Sequence, residues 1–299
     1  MPSLRFLPSS FSIVLASMWF CAPSDLQAQQ QNTTPEETSL AAAKTESDTY
    51  ILPQWEIGVS GVALTRTAYP GSDTYFSRAV LLPYVIYRGD HLRVERGSSG
   101  YRAIRTPSYE FDIGFSGALG ASSDKVQARR GMETIGHMIE FGPRFNWNIT
   151  DRRQNGRWRL EMPLRAVFDV SHQFRGRGYS FEPELQYDRA LTSKWRYSTG
   201  LSSVFGSDKL ADTFYQVRPE QALVDRPAYD AKAGLLAWRL YASTSYFPNR
   251  DLRLFANLRI ESVVGAANQT SSLVRRKTAP SAFIGFSYSF MQSERKATD

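Results

Sequence analysis

The sequence predicts an all-β fold: a closed antiparallel transmembrane β-barrel of about twelve strands, with ten as the alternative. Three segments in the middle of the chain, 139–149, 158–170 and 179–188, alternate apolar and polar residues with a period of two. Each has about ten residues or more, the length that a tilted strand needs to cross a bilayer. Aromatic residues make up 13% of the 299 residues, yet the mean hydropathy is −0.38 and no run of about 18 apolar residues occurs. Membrane spanning by helices is therefore excluded.

The N-terminal residues are typical of an export signal that is later removed. Arg5 precedes an apolar stretch, residues 11–22, and residues 26–28 (LQA) place a small residue before the cleavage site. We therefore expect residues 1–28 to be a signal peptide and the mature chain to begin at Gln29.

Cleavage after Ala28 would also remove Cys21, the single cysteine of the chain. A lipid anchor on Cys21 is the alternative, but bacterial lipid attachment requires small residues before the cysteine, and residues 18–20 (MWF) are bulky. Residues 29–50 are polar and show no apolar period, so we expect a disordered periplasmic segment.

Residues 51–290 are predicted to form the barrel, and residues 291–299 a short charged tail. Alternating runs bounded by turn residues predict strands at 54–66, 77–88, 91–97, 100–106, 109–119, 135–149, 157–171, 178–189, 194–206, 233–247, 251–264 and 280–290. The runs 91–97 and 100–106 are the weakest, because their charged residues leave little apolar face. Without them ten strands remain, and both counts are even, as in bacterial single-chain barrels.

Short and long connections alternate along the chain, which is typical of barrels with short periplasmic turns and long outer loops. The tight turns are 88–90, 190–193 and 248–250, and they contain Gly, Pro and Asn. The long connections are 67–76, 120–134, 207–232 and 265–279. The longest loop, 207–231, is expected either to fold over the mouth of the barrel or to offer a contact surface to a partner.

The charged residues of the middle strands share one strand face, and we expect that face to line the interior. The predicted lining residues are Glu140, Arg144, Arg159, Glu161, Arg165, Asp169, Glu182, Glu184 and Asp188. Pairing of opposite charges across the ladder would hold a narrow barrel together, and the same lining would make a polar path for small solutes. The structural role is favoured, because ten to twelve strands enclose an interior only slightly wider than that of a barrel filled by its own side chains.

Ser171, His172 and Asp169 invite an enzymatic interpretation. Adjacent residues of a strand point to opposite faces, so Ser171 and His172 are not expected to face each other unless the strand has ended, and Asp169 would share a face with Ser171 alone. The three histidines are His91, His137 and His172, and neither they nor the carboxylates show metal-ligand spacing. We therefore expect no enzymatic activity, no catalytic residue, no metal and no cofactor.

The chain carries a net charge of +7, which raises the question of a nucleic-acid partner. Its cations are interleaved with carboxylates and form no basic tract, so no nucleic acid is expected. Outer-membrane lipid is the expected surrounding, with aromatic residues such as Trp147, Trp158 and Trp195 at the headgroup boundary.

The last predicted strand ends in residues 283–290 (FIGFSYSF), with aromatic residues at alternate positions. Gly285, Tyr288 and Phe290 resemble the β-signal that is read by the machinery that inserts outer-membrane barrels. That resemblance makes the insertion machinery an expected partner.

Six short segments carry a family resemblance: 55–59 (WEIGV), 69–73 (YPGSD), 82–90 (LPYVIYRGD), 142–143 (GP), 226–234 (RPAYDAKAG) and 272–274 (SLV). Their order and spacing are similar to those of the MipA/OmpV family of outer-membrane proteins over about residues 54–290. The resemblance implies a bacterial outer-membrane barrel without a catalytic motif. It also implies a scaffold that joins murein-degrading and murein-synthesising enzymes, among them the lytic transglycosylase MltA.

The leading functional hypothesis is therefore a non-enzymatic outer-membrane scaffold for murein-remodelling enzymes. The alternative is a narrow channel for small solutes, and a distant third is a lipid-modifying enzyme. Discrete conductance steps in a bilayer would favour the channel, whereas a sealed barrel that captures a murein hydrolase would favour the scaffold.

Overall fold

The structure is a computed structural model that describes residues 53–89, 92–95, 98–118, 120, 125–150 and 155–295. The predicted signal peptide 1–28 with Cys21, the predicted segment 29–50, His91 and residues 296–299 lie outside the described residues.

Antiparallel strands dominate the described residues, which contain thirteen of them. They are β1 (Trp55–Thr67), β2 (Tyr75–Arg88), β3 (Leu92–Glu95), β4 (Ser98–Arg105), β5 (Tyr109–Ala118), β6 (Met138–Asn148), β7 (Arg157–Asp169), β8 (Arg175–Phe181), β9 (Glu184–Ala190), β10 (Trp195–Gly206), β11 (Gly234–Tyr246), β12 (Leu252–Ser262) and β13 (Thr278–Gln292). The longest loop contains one helix of eight residues, α1 (Asp208–Tyr215). In the described part of the chain, no helix combines the length and the hydropathy of a membrane span.

The sheet closes on itself. β1 pairs with β13, from Glu56 opposite Gln292 to Thr65 opposite Ala282, and β10 pairs with β11. Apart from β8 and β9, the remaining strands pair with their neighbours in sequence, and each strand of the described residues has partners on two sides. Closure removes the long free edges that an open sheet would expose. The predicted all-β, closed antiparallel barrel is confirmed.

Strands β8 and β9 are two halves of one crossing of the wall. Both pair with β7 on one side and with β10 on the other. Glu182 and Pro183 separate them, and a proline has no N–H to give to a ladder. Counted this way, the thirteen strands of the described residues occupy twelve positions around the wall, and the predicted strand 178–189 is a longer, interrupted segment.

The predicted weak strands 91–97 and 100–106 form the short hairpin β3–β4. β3 pairs with β2 only at the last two residues of β2, Tyr87 and Arg88. Among the described residues, the stretch 75–86 of β2 therefore pairs with β1 alone.

The outer face of the barrel is apolar. Ten of its residues are between 43% and 67% exposed: Leu81, Val85, Phe115, Phe141, Leu164, Leu201, Leu240, Leu258, Ile284 and Phe290. The predicted anchors Trp147, Trp158 and Trp195 are also exposed. Exposing apolar surface to water costs about 25 cal/mol per Å². This belt of apolar residues on the outer face therefore requires lipid around it.

The last strand runs further than the sequence predicts. β13 continues to Gln292, two residues beyond the predicted end of the barrel at residue 290. Beyond it the Gln54 N–H donates to the Arg295 carbonyl oxygen over 2.8 Å, which holds the two ends of the barrel sequence side by side.

Candidate functional site

Ion pairs cross the interior between β5, β6 and β7. The Arg144 guanidinium binds Asp112 with two contacts, Nε to Oδ1 at 3.0 Å and Nη2 to Oδ2 at 2.7 Å. Arg165 Nη1 lies 3.3 Å from Glu140 Oε2, which also accepts from the Ser116 hydroxyl. Two-contact pairing of this kind fixes geometry as well as charge.

A second group joins β7 to β9. Arg159 Nη2 lies 3.0 Å from Glu161 Oε1 and 3.8 Å from Asp188 Oδ2, and it donates to Gln186 Oε1. Asp188 is buried and accepts from the Ser198 hydroxyl over 2.6 Å. The carboxylates in this part of the interior are therefore satisfied by cations and hydroxyl groups.

Arg239 bridges two carboxylates from different strands. Its Nη1 lies 2.9 Å from Glu182 Oε1, and its Nε lies 2.8 Å from Glu261 Oε2. Nearby, the Tyr241 hydroxyl donates to Glu184 Oε1 over 2.9 Å. These contacts tie β11 to β12 on one side and to the interruption between β8 and β9 on the other.

The opposite wall holds one buried pair near the end of the barrel that carries the short turns. Arg88 Nη1 lies 2.6 Å from Glu56 Oε1, and Glu56 Oε2 accepts from the Ser289 hydroxyl. Glu56 and Arg88 are both at least nine-tenths buried. The pair therefore closes the junction of β1, β2 and β13 from inside.

All nine residues predicted to line the interior lie on this enclosed face or at its end. Arg165, Asp169, Glu182, Glu184 and Asp188 are buried. The other four, Glu140, Arg144, Arg159 and Glu161, keep between 16% and 22% of their side chains exposed. Their predicted role as a solute path stays a prediction.

Sequence reasoning missed five participants in these pairs: Glu56, Arg88, Asp112, Arg239 and Glu261. The same alternation test, applied to β1, β2, β5, β11 and β12, would have found them. Arg239 stands directly opposite Glu261 in the ladder, a cross-strand pair of opposite charge.

Asp169 lies at the end of the barrel that carries the long loops, and it is fully buried. It accepts from Arg177 Nη2 over 2.6 Å and from His172 Nδ1 over 2.9 Å. The expectation that Asp169 and His172 lie apart is therefore wrong, because β7 ends at Asp169 and a 3-10 turn brings His172 back. The Ser171 hydroxyl oxygen accepts from the His137 N–H instead, over 2.9 Å.

Glu133 extends this group towards solvent. Arg175 Nη1 and Arg177 Nη1 lie 2.9 and 3.2 Å from its two carboxylate oxygens. Partial burial acts to raise the pKa of Glu133, but the hydrogen bond and charge of Arg177 and the charge of Arg175 outweigh it, so the pKa lies below its ordinary value. Glu133 therefore stays ionised in mildly acidic solution.

An apolar cluster closes the long-loop end of the barrel. We call it the cap cluster, and its buried members are Ala68, Tyr69, Val126, Ala128, Met132, Ile135, Met138, Val167, Val204, Leu210, Ala211, Tyr215, Val217, Leu236 and Leu273. The longest loop contributes through α1 and Val217, which is the arrangement of a loop folded over the mouth.

Hydrogen bonds join the loops of the cap cluster to one another. The Tyr69 hydroxyl donates to the Leu273 carbonyl over 2.7 Å, and the Tyr215 hydroxyl donates to the Pro70 carbonyl over 3.1 Å. Arg129 Nη1 donates to the Phe214 carbonyl. Burial raises the pKa of Tyr69 to about 12 and that of Tyr215 well above its ordinary value, so both hydroxyls remain donors.

Replacing Tyr69 by phenylalanine is expected to loosen the cap cluster by about 1–3 kcal/mol, because the buried Leu273 carbonyl loses its donor. The raised pKa of Tyr69 also makes the stability of the cap cluster depend on pH. The full stabilisation is present below about pH 10, the ordinary pKa of tyrosine, and it is lost as the pH rises towards 12. Limited proteolysis of the loops with an alkaline-stable protease should show this loss in the native protein. If Tyr69→Phe shows the same alkaline loss, Tyr69 is not its source.

No group of three or more histidine, cysteine or acidic side chains within the described residues could hold a metal ion. His137 uses Nδ1 to accept the Gly120 N–H, and His172 contacts Asp169, so the two described histidines serve local structure.

The model of the family described as "MltA-interacting protein MipA" matches residues 57–290. The chain belongs to the MipA family. Together with a closed barrel whose outer face is apolar, membership makes it an outer-membrane β-barrel protein. No curated protein matches the sequence.

Several solved structures are similar to this MipA-family barrel in fold. A KdgM porin is 13% identical, with 79% of this chain and 99% of that chain covered and a TM-score of 0.36. A NanC porin is 10% identical, with 78% and 98% covered and a TM-score of 0.39. The CymD monoaromatic hydrocarbon channel is 7% identical, with 81% and 90% covered and a TM-score of 0.37. At these TM-scores the likeness supports no statement about what the MipA-family chain binds.

The predicted insertion signal of this MipA-family barrel lies on β13. Tyr288 and Phe290 point outward and are about half exposed, at 45% and 57%. Gly285 faces inward, where an added Cβ would lie 2.6 Å from the Phe255 ring. The glycine therefore leaves room for Phe255, and its role in recognition by the insertion machinery stays a prediction.

Proposed function

We propose that the protein is a non-enzymatic scaffold, which is exported with removal of residues 1–28 and holds murein-remodelling enzymes at the outer membrane. The observation that carries this proposal is the closure of the barrel: the cap cluster fills the long-loop end, and ion pairs cross the interior below it. A barrel closed in this way has little room for transport. The family description as an MltA-interacting protein supports the same reading.

The short-turn end is the surface proposed for docking, because short turns face the periplasm in bacterial barrels and murein lies there. This end carries an exposed apolar side chain, Leu191, in the turn between β9 and β10. In the turn after β11, Phe247 lies beneath two guanidinium groups, with Arg196 at 5.1 Å and Arg253 at 5.7 Å from the ring centroid. Apolar and cationic groups side by side are typical of protein contact surfaces.

The test is binding of a purified MltA-type lytic transglycosylase to the purified barrel in detergent micelles. We expect saturable binding, and we expect Leu191→Glu to weaken it by about tenfold, as a charge at the centre of an apolar contact does. The matched control is Val224→Glu at the long-loop end, where Val224 is fully exposed, and it should bind like the native protein. Absence of binding to the native barrel, or equal weakening by both variants, would contradict the scaffold.

A narrow channel is the second candidate, favoured by the polar side chains inside the barrel that remain partly exposed, such as Glu140 at 22% and Arg239 at 20%. Discrete conductance steps from the native protein in a planar bilayer would support it. The lipid-modifying enzyme has the weakest support. Asp169 does contact His172, as in a catalytic triad, but the Ser171 hydroxyl accepts a hydrogen bond from the His137 main chain.

A further inference from the structure

Three exposed cationic residues follow one another where the loop between β12 and β13 enters β13: Arg275, Arg276 and Lys277. Hydrogen bonds of the main chain fix their position. The N–H groups of Arg275 and Arg276 both donate to the Gly71 carbonyl oxygen, over 2.8 and 3.0 Å, and the Lys277 carbonyl oxygen accepts from the Val263 N–H over 2.8 Å. This segment is therefore a fixed part of the surface. We call Arg276 and Lys277 the outer basic pair.

The outer basic pair lies just beyond the apolar belt. Trp238, Ser262 and Thr278 are successive cross-strand partners on β11, β12 and β13, so they share the outer face at one level of the wall. Trp238 is 42% exposed, and an outward tryptophan favours the boundary between hydrocarbon and headgroups. Arg276 precedes Thr278 by two residues, which at about 3.4 Å per residue places it up to about 7 Å further out. Lipid headgroups are expected at that level.

The Arg276 side chain lies against the outer face of the wall. Its guanidinium carbon is 5.8 Å from the centroid of the Tyr75 ring, which is within the range of a cation–π contact. Tyr75 begins β2 and shares the outer face with Leu81, which is 65% exposed, because alternate residues of a strand point the same way. The positive charge is therefore held at the edge of the surface that faces lipid.

The carboxylates of the neighbouring segments have other contacts. Asp225 takes up the third cation, because Arg275 Nη2 donates to the Asp225 carbonyl oxygen over 2.9 Å and lies 4.0 Å from its carboxylate. Glu261 is bound to an arginine of β11 inside the barrel. Asp73 accepts from the neighbouring threonine hydroxyl over 3.3 Å. Within the described part of the chain, no ion pair joins a carboxylate to the outer basic pair. The pair therefore offers two positive charges to an external anion.

We propose that the outer basic pair binds the phosphate group of an outer-leaflet lipid. A guanidinium presents parallel N–H donors that match phosphate oxygens, and the Lys277 ammonium adds a second charge. Long loops face the cell exterior in bacterial barrels, so the headgroup belongs to the outer leaflet. Below the pair, Pro280 and its cross-strand partner Ile260 are exposed on the outer face, and Leu258 is 67% exposed. This apolar surface receives the acyl chains of the same lipid.

The probe for this site is diphosphoryl lipid A, a phosphorylated glycolipid, titrated into the purified barrel in nonionic detergent micelles and followed by native mass spectrometry. We expect saturable binding, and we expect Lys277→Glu to weaken it by about tenfold through like-charge repulsion. Arg276→Glu is a second variant with a larger loss, because the guanidinium geometry is lost as well. The matched control is Lys209→Glu, the same change at an exposed lysine of α1 at the same end of the barrel, and it should bind like the native protein.

The matched control probe is the same lipid after enzymatic removal of both phosphate groups. It should bind the native protein at least tenfold more weakly and should not respond to Lys277→Glu. Retention of heat-modifiable gel mobility shows that each variant is folded.

Equal binding of the phosphorylated and phosphate-free lipids would overturn the phosphate site. Equal weakening by Lys277→Glu and Lys209→Glu would overturn its location, since general charge attraction would then explain the binding. Displacement of the lipid by millimolar inorganic phosphate would assign the outer basic pair to free phosphate instead of lipid. Enzyme docking is proposed for the opposite, short-turn end and is measured with a different partner, so failure of either proposal leaves the other standing.

Discussion

Replacing Arg239 by methionine is expected to lower the free energy of unfolding by about 3–5 kcal/mol. The guanidinium bridges Glu182 at 2.9 Å and Glu261 at 2.8 Å, and all three side chains are largely enclosed. Methionine keeps most of the apolar stem of arginine, but it leaves two carboxylates without this cation inside the barrel. Chemical unfolding in detergent micelles, followed by tryptophan fluorescence, would measure the loss.

Two further variants separate the charge effect from a general loss of packing. Arg239→Met combined with Glu182→Gln and Glu261→Gln should recover most of the stability, because the amides leave no unpaired charge. Arg189→Met on β9 changes an exposed arginine and should stay within about 0.5 kcal/mol of the native protein. If Arg239→Met alone is as stable as the native barrel, the interior ion pairs do not hold the wall together.

Replacing Tyr215 by alanine is expected to open the capped end to ions. Tyr215 is 1% exposed, packs in the cap cluster, and donates to the Pro70 carbonyl. Truncation of a buried aromatic side chain costs about 3–5 kcal/mol and leaves a cavity. Tyr215 packs where several loops meet, so its truncation places this cavity between them and removes the hydrogen bond to Pro70. We therefore expect the loops to part. Planar-bilayer recordings should show clear conductance steps for Tyr215→Ala and a far lower level for the native protein.

Val224→Ala is the matched control for this variant, because Val224 belongs to the same loop but is fully exposed. It should conduct like the native protein. Equal conductance of native protein and Tyr215→Ala would show that the cap cluster does not seal the barrel. A native protein that already passes large steps would favour the channel over the scaffold.

Which face of each strand carries the charged side chains could be predicted from the sequence. A period of two assigns each side chain to one face or the other without knowledge of the neighbouring strands. Glu140, Glu161 and Asp188 each reach the enclosed face for this reason. Their ion-pair partners could not be predicted in the same way. Arg144 binds Asp112 on β5, a residue 32 positions away, and that choice depends on the register of the ladder.

The closed end of the barrel was harder to predict. Tyr69, Tyr215 and Leu273 belong to separate irregular loops, and an irregular loop has no periodicity that tells which side chain is buried. Helix α1 has only eight residues, fewer than a periodic pattern needs to stand out. The sequence did indicate that the longest loop either covers the mouth or contacts a partner, and Tyr215 of this loop packs in the cap cluster. A contact with a partner stays a prediction.

The short hairpin β3–β4 shows a third limit of pattern reading. The charged residues of this hairpin predict weak strands. How far β3 pairs with β2 depends on the length of β3, which is only four residues. The two pairs that join β2 to β3 among the described residues follow from the register of the ladder and from no motif.

The pairing of β1 with β13 joins residues that are far apart in the chain, such as Ser60 and Ser287, which are 227 positions apart. Contacts of such high sequence separation form late and slow the folding of a chain. Until these contacts form, the strands are an open sheet whose apolar face is exposed. We therefore expect that a newly made polypeptide on its way to the membrane needs its apolar face covered until β1 pairs with β13, because this pairing is the step that completes the barrel.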